Sequence, residues 1–203
     1  VTEPARAPSP RQEELLERAY RYALEHGLAD LSLRPLAAAI GSSPRVLLFL
    51  FGSKDGLVRA LLARARADEL ALLDRAGQDG TRGDLAAAVR TTWNWLAAQE
   101  HRPLLTLWAE AYARSLTEPD GPWSGFAAQT VEDWLAVLAA AQPPERRPST
   151  IGAAERSLAL SVLRGALLDL LAAGDVDRTT AAVDQHLASI GRQHSQTRSD
   201  CRH

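Results

Sequence analysis

An all-α fold is predicted for this chain: an N-terminal three-helix unit with a helix-turn-helix, then a larger helical domain. Two observations predict it. Apolar residues recur at helical spacing through most of the 203 residues, and no run alternates with the period of a strand. The short helical segments come first and the long ones after, divided by glycine and proline. At 46% hydrophobic and 24% charged, the composition is that of a globular protein. A chain of this length hides roughly 70% of its unfolded surface, so no disulfide framework is needed.

The elements follow in order. A first helix fits about 11–27, where Leu15, Ala19, Tyr22 and Ala23 share a face and Gly27 ends the pattern. A short helix at about 33–40 begins after Ser32 as N-cap, with Pro35 tolerable in the first turn. Gly41 closes it, and Ser43-Pro44 opens the next at about 44–50 as N-cap and first helical residue. Gly52-Ser53 breaks that helix, and a long one runs from Lys54 to about Ala76. Further helices fit about 84–100, 103–117, 123–141, 149–173 and 176–191. The domains expected are an arm at 1–10, the helix-turn-helix at 11–54, a larger helical part at 55–192 and a tail at 193–203. Arm and tail are polar and aperiodic, and disorder is expected there.

Several classes are set aside. No run of 18 apolar residues is present, so no membrane partner is expected, and VTEPARAPSP lacks the features of a signal peptide. One cysteine, Cys201, makes no internal disulfide, which points to a cytoplasmic location. His194, Cys201 and His203 offer no preorganised metal site, and no cofactor is expected. GPWSGF places its serine one residue off a nucleophile elbow and follows no strand. No catalytic constellation is found, and the chain is not expected to be an enzyme.

The charge is uneven. Residues 1–66 carry ten Arg/Lys and seven Asp/Glu, whereas the rest carry thirteen and eighteen. Between 31 and 54 stand Arg34, Arg45 and Lys54 with no acid at all, a local zone fit for a polyanion. Leu36, Ala37, Ile40, Leu47 and Phe51 are spaced to close a small core around the Gly41 turn, so the third helix is expected to enter a major groove.

At this point the segment HGLADLSLRPLAAAIGSSPRVLLFLFGSKDGLVRALL resembles the bacterial regulators of the tetracycline-repressor (TetR) family. Gly27, Leu36-Ala37, Gly41, Ser43, Leu47, Phe51, Ser53-Lys54 and Leu57 carry the resemblance. The later stretch VLRGALLDLLAAGDVDRTTAAVDQHL is similar to that family's last two helices. The resemblance implies a ligand-released repressor that binds a near-palindromic double-stranded operator as a homodimer. It makes 11–54 an N-terminal helix-turn-helix DNA-binding domain and 55–192 a larger helical ligand-binding (effector-binding) and dimerisation domain. Ser32, Arg34, Ser42, Ser43, Arg45, Leu48, Phe49 and Lys54 are the candidate DNA-binding residues. Lys54, the only lysine, lies at a helix N-terminus, where a cation costs about 0.3–1 kcal/mol; the resemblance assigns it a phosphate. The family usually has tyrosine where this chain has Leu48. The apolar VLLFLF helix then either meets thymine methyls or buries more of itself.

All five tryptophans fall between 93 and 134. Trp93, Trp108, Tyr112, Thr130 and Trp134 are candidate walls for a small apolar or amphipathic effector, the alternative being plain core. Leu158, Val162, Gly165, Val183, Leu187 and Ile190 are candidate dimer contacts on the last two helices. A DNA-binding regulator without an effector, or a helical enzyme or carrier keeping the motif as scaffold, are the other function classes weighed.

Overall fold

The computed structural model describes residues 8–28, 30–78 and 83–200, with side chains described outside 72–78 and 190–200. It is all-helical over those residues: α1 (Pro10–His26), α2 (Leu33–Ala39), α3 (Pro44–Phe51), α4 (Lys54–Gln78), α5 (Leu85–Ala97), α6 (Arg102–Thr117), α7 (Phe126–Ala141), α8 (Thr150–Ala173) and α9 (Val176–Asp200), with one 3-10 turn at Gln99–His101. No single helix among the described residues is long and apolar enough to cross a membrane. Two compact units emerge, Val1–Ala67 with Thr106–Ala127, and Asp68–Leu105 with Ala128–His203. Helices α4, α6 and α7 contribute residues to both.

In the first unit, Ser9 caps α1 by accepting the Gln12 N–H, and Pro10 fills the first helical position, so the helix starts within the expected arm. Leu15, Ala19 and Ala23 face the core together with Tyr20, where Tyr22 was expected. Tyr22 instead stacks on His26, one turn ahead, at 4.0 Å between centroids. The small core around the turn forms from Leu36, Ala37, Ile40 and Leu47, with Phe51 half-buried at its edge. Leu57, Val58 and Leu61 of α4 are buried as well.

In the second unit, α5 packs on α8 and α9, and α8 packs on α9. Asp84 and Ser149 cap α5 and α8 by accepting the Ala87 and Gly152 N–H groups. Gly174, left-handed at φ 71°, ends α8. Trp93 donates its indole N–H to Thr180 Oγ1 at 2.9 Å, and Arg90 reaches Asp184 at 2.7 Å, fixing α5 against α9. Three boundaries differ from expectation, the first being α5, which ends at Ala97 rather than 100. α7 starts at Phe126 rather than 123, because Gly125 at φ 76° breaks the chain there. α9 continues to Asp200, past the tail boundary expected at 193. RQHSQTRSD holds no proline, and a helix backbone satisfies its own polar groups without an apolar face. The remaining arm residues 1–7, Cys201, His203 and the side chains of His194 and Ile190 lie outside the described residues.

Candidate nucleic-acid interface

The α2–α3 pair bends by 102°, within the helix-turn-helix range. Gly41 makes the bend at φ 68°, and the Ser42 N–H returns to the Ala37 carbonyl at 2.8 Å. Arg18 of α1 steadies the turn by donating to the Ile40 carbonyl at 3.2 Å. Ser43 caps α3 through the Val46 N–H, and Ser53 caps α4 through the Gly56 N–H at 2.9 Å. Helices α3 and α4 therefore each start at a side-chain cap.

Leu47 points into the core and is 1% exposed, which turns the other side of α3 outward. That side carries Arg45, Leu48 and Phe49, with Phe49 85% exposed. The apolar sequence of α3 therefore does not bury more of the helix. Ser32, Arg34, Ser43 and Lys54 are exposed too. Ser32 holds the N-cap position of α2 but its hydroxyl makes no cap bond. Ser42 departs from the expected set: its Oγ is buried without a hydrogen-bond partner. The outward surface combines three cations with an apolar ridge, and no acid stands between residues 31 and 54.

The N-terminal region, residues 15–61, matches the model of the bacterial regulatory proteins of the tetR family. The match is confined to that region, which is similar to the family's N-terminal part. The match supports a DNA-binding transcriptional regulator as the generic function. A search of curated protein sequences returned no match. Among solved structures, a transcriptional regulator from Rhodococcus sp. Rha1 superimposes with a TM-score of 0.73 at 21% identity, covering 90% of this chain and 96% of its own. The multidrug binding protein EbrR, complexed with imidazole, gives 0.63 at 24% identity, covering 91% and 96%. A TetR regulator from Haloarcula marismortui gives 0.64 at 20% identity, covering 86% and 93%. These likenesses are of fold.

The other candidate residues are placed as follows. Trp108 and Tyr112 lie in the first unit, rings tilted by 32° with centroids 5.0 Å apart. Trp93, Thr130 and Trp134 lie in the second unit and are almost wholly buried. Trp134 donates its indole N–H to Glu69 Oε1 at 2.6 Å, a buried bond spanning 65 residues. A cavity of about 210 Å³ in the same unit is bounded by Leu96, Arg102, Leu105, Leu170 and Val176, and by none of the five tryptophans.

Of the dimer candidates, Leu158 is 55% exposed and Gly165 faces open space, whereas Val162 is half-buried. Val183 and Leu187 are corrected. Both are buried inside one protomer, because the apolar stripe of α9 is spent on α5 and α8. The outward stripe is on α8: Ile151, Leu158, Ser161, Gly165 and Leu168.

Sequence reasoning missed the role of Glu110. Its Oε2 accepts the Leu28 N–H at 3.0 Å, just beyond the end of α1. The same oxygen would lie 3.2 Å from a Cβ at Gly27. Helix α6 is thereby tied to the α1–α2 connection. No periodicity signals a bond between residues 82 apart.

Proposed function

We propose that this chain is a ligand-released repressor of the tetR type that binds a near-palindromic operator as a homodimer. The observation that carries the proposal is the exposed face of α3, where Arg45 stands clear of the core while Leu47 anchors the helix behind it. Arg45 is placed to read base edges, since arginine pairs bidentately with guanine in the major groove. Lys54 and Arg34 take phosphates, which set register without reading sequence. The α8 stripe is the proposed dimer surface: in an isolated protomer it leaves Ile151, Leu158 and Leu168 at least half-exposed, and small Ser161 and Gly165 allow close approach. Two copies about a two-fold axis would present two α3 helices to half-sites about 34–36 Å apart.

The effector of this proposal is a small apolar or amphipathic molecule, and EbrR supplies an example of fold and ligand, being complexed with proflavin in one structure. Release needs a molecule that favours the DNA-incompetent arrangement by roughly 5.5 kcal/mol to carry the population from 1:99 to 99:1. Helix α4 is the covalent route to the DNA-binding helices, and the Glu110–Leu28 bond gives α6 a second hold on them. A regulator without effector is the second reading. It is favoured by the burial of Trp93 and Trp134, whose indole N–H groups are already committed to Thr180 and Glu69.

The test is an electrophoretic shift of the DNA upstream of the chain's own reading frame. Binding should weaken steeply with salt; Lys54→Ala should lower affinity for all sequences and reduce the salt slope by about one, whereas Arg45→Ala should relax base preference. A salt-independent, asymmetric single half-site refutes the proposal. Compounds that release DNA should perturb tryptophan fluorescence at the same concentrations, and their absence from a broad screen would leave the second reading standing.

A further inference from the structure

We infer that Phe49 reads thymine, by packing its ring on the C5-methyl of one thymine in each half-site of the operator. The inference rests on the DNA-binding role of α3 and adds to it the base class recognised.

Phe49 is 85% exposed, the highest value for a large apolar side chain among the described residues, and its neighbours on α3, Leu48 and Val46, are 41% and 38% exposed. Such a cluster on a cationic surface calls for an apolar occupant within a polyanionic partner. Phe49 lies four residues after Arg45, one turn along the same outward face, so both side chains meet the same stretch of partner. Residues 31–54 hold Arg34, Arg45 and Lys54 and no acid, a charge balance complementary to a nucleic acid and poorly suited to a basic protein surface.

Within duplex DNA the choice narrows. A phenyl ring gains nothing from phosphates. In the major groove the apolar feature of the base edges is the thymine C5-methyl, and phenylalanine is among the side chains that contact it. Arginine at position 45 takes polar edges; Phe49 takes the methyl one turn on. The α3 core contacts do not involve Phe49, so its replacement leaves the fold intact.

The experiment selects duplexes from a random pool with the full chain, then replaces each selected thymine by deoxyuridine, which removes only the methyl. One buried methyl is worth about 0.8 kcal/mol, or about fourfold in affinity, so the loss should be about fourfold for one half-site and about fifteenfold for both. Phe49→Ala should bind the thymine and deoxyuridine duplexes equally. Lys54→Ala should weaken both equally and keep their ratio. Indifference of the native chain to deoxyuridine at every selected thymine overturns the inference, as does a thymine preference that survives in Phe49→Ala. Failure to enrich any sequence overturns the DNA-binding role itself and the inference with it, and is distinguishable because the deoxyuridine comparison is then never reached.

Discussion

Replacing Glu110 with alanine removes the carboxylate that accepts the Leu28 N–H at 3.0 Å. Leu28 is 2% exposed, so water does not replace that acceptor, and a buried N–H without a partner costs about 1–3 kcal/mol. The neighbouring Arg114 contributes little to the loss: its Nε is 4.0 Å from Glu110 Oε1, while its Nη1 holds Glu118 at 2.7 Å. Taking about 2 kcal/mol, the melting temperature should fall by about 4–8 °C for a chain of this size. Glu110→Gln keeps an amide oxygen as acceptor and should cost about 1 kcal/mol or less. Gly27→Ala attacks the same contact from the other side, since φ 77° disfavours a side chain and the new Cβ would sit 3.2 Å from Glu110 Oε2. Part of its cost should vanish in the Gly27→Ala, Glu110→Ala double variant, where the crowded oxygen is gone. Calorimetric unfolding of the four variants and DNA titration of the same samples is the assay. Equal stability of Glu110→Ala and the native chain, or strict additivity in the cycle, refutes the reasoning.

Further outcomes are expected. Leu158→Glu, on the exposed side of α8, should yield a folded monomer by light scattering, and a folded variant that stays dimeric removes the α8 stripe from the interface. Leu187→Glu should instead unfold the second unit, because the new charge would be buried against α5 and α8. Burial lowers the pKa of His186 from its ordinary 6.5, so the unfolded chain takes up that proton first. Stability should be full above pH 7 and fall as the pH drops through 6.5 toward the lowered value; a His186→Gln variant with an undiminished slope over that window assigns it to other groups.

Local signals made the reading head legible. Ser43-Pro44 and Ser53 act as caps, Gly41 has the positive φ that its turn demands, and Leu36, Ala37, Ile40 and Leu47 are buried together. Each depends on residues within a few positions of one another, which the chain's own order displays. Periodicity also located the helices of the described residues to within about three residues, the end of α9 apart.

Which neighbour each apolar stripe meets was decided by tertiary packing. A helical stripe states that a face is buried and leaves its partner unspecified: Leu187 and Leu158 both fit an interface pattern, yet one is buried in its own protomer and the other exposed. The same holds for Phe49, which by hydrophobicity alone belongs inside. Leu47 and the half-buried Phe51 occupy the inward side of α3, so Phe49 has only the outward side left. Glu110 shows the limit most plainly. Its bond to Leu28 joins positions 82 apart, and the need of one buried N–H for an acceptor exists only once the chain has folded and water has gone.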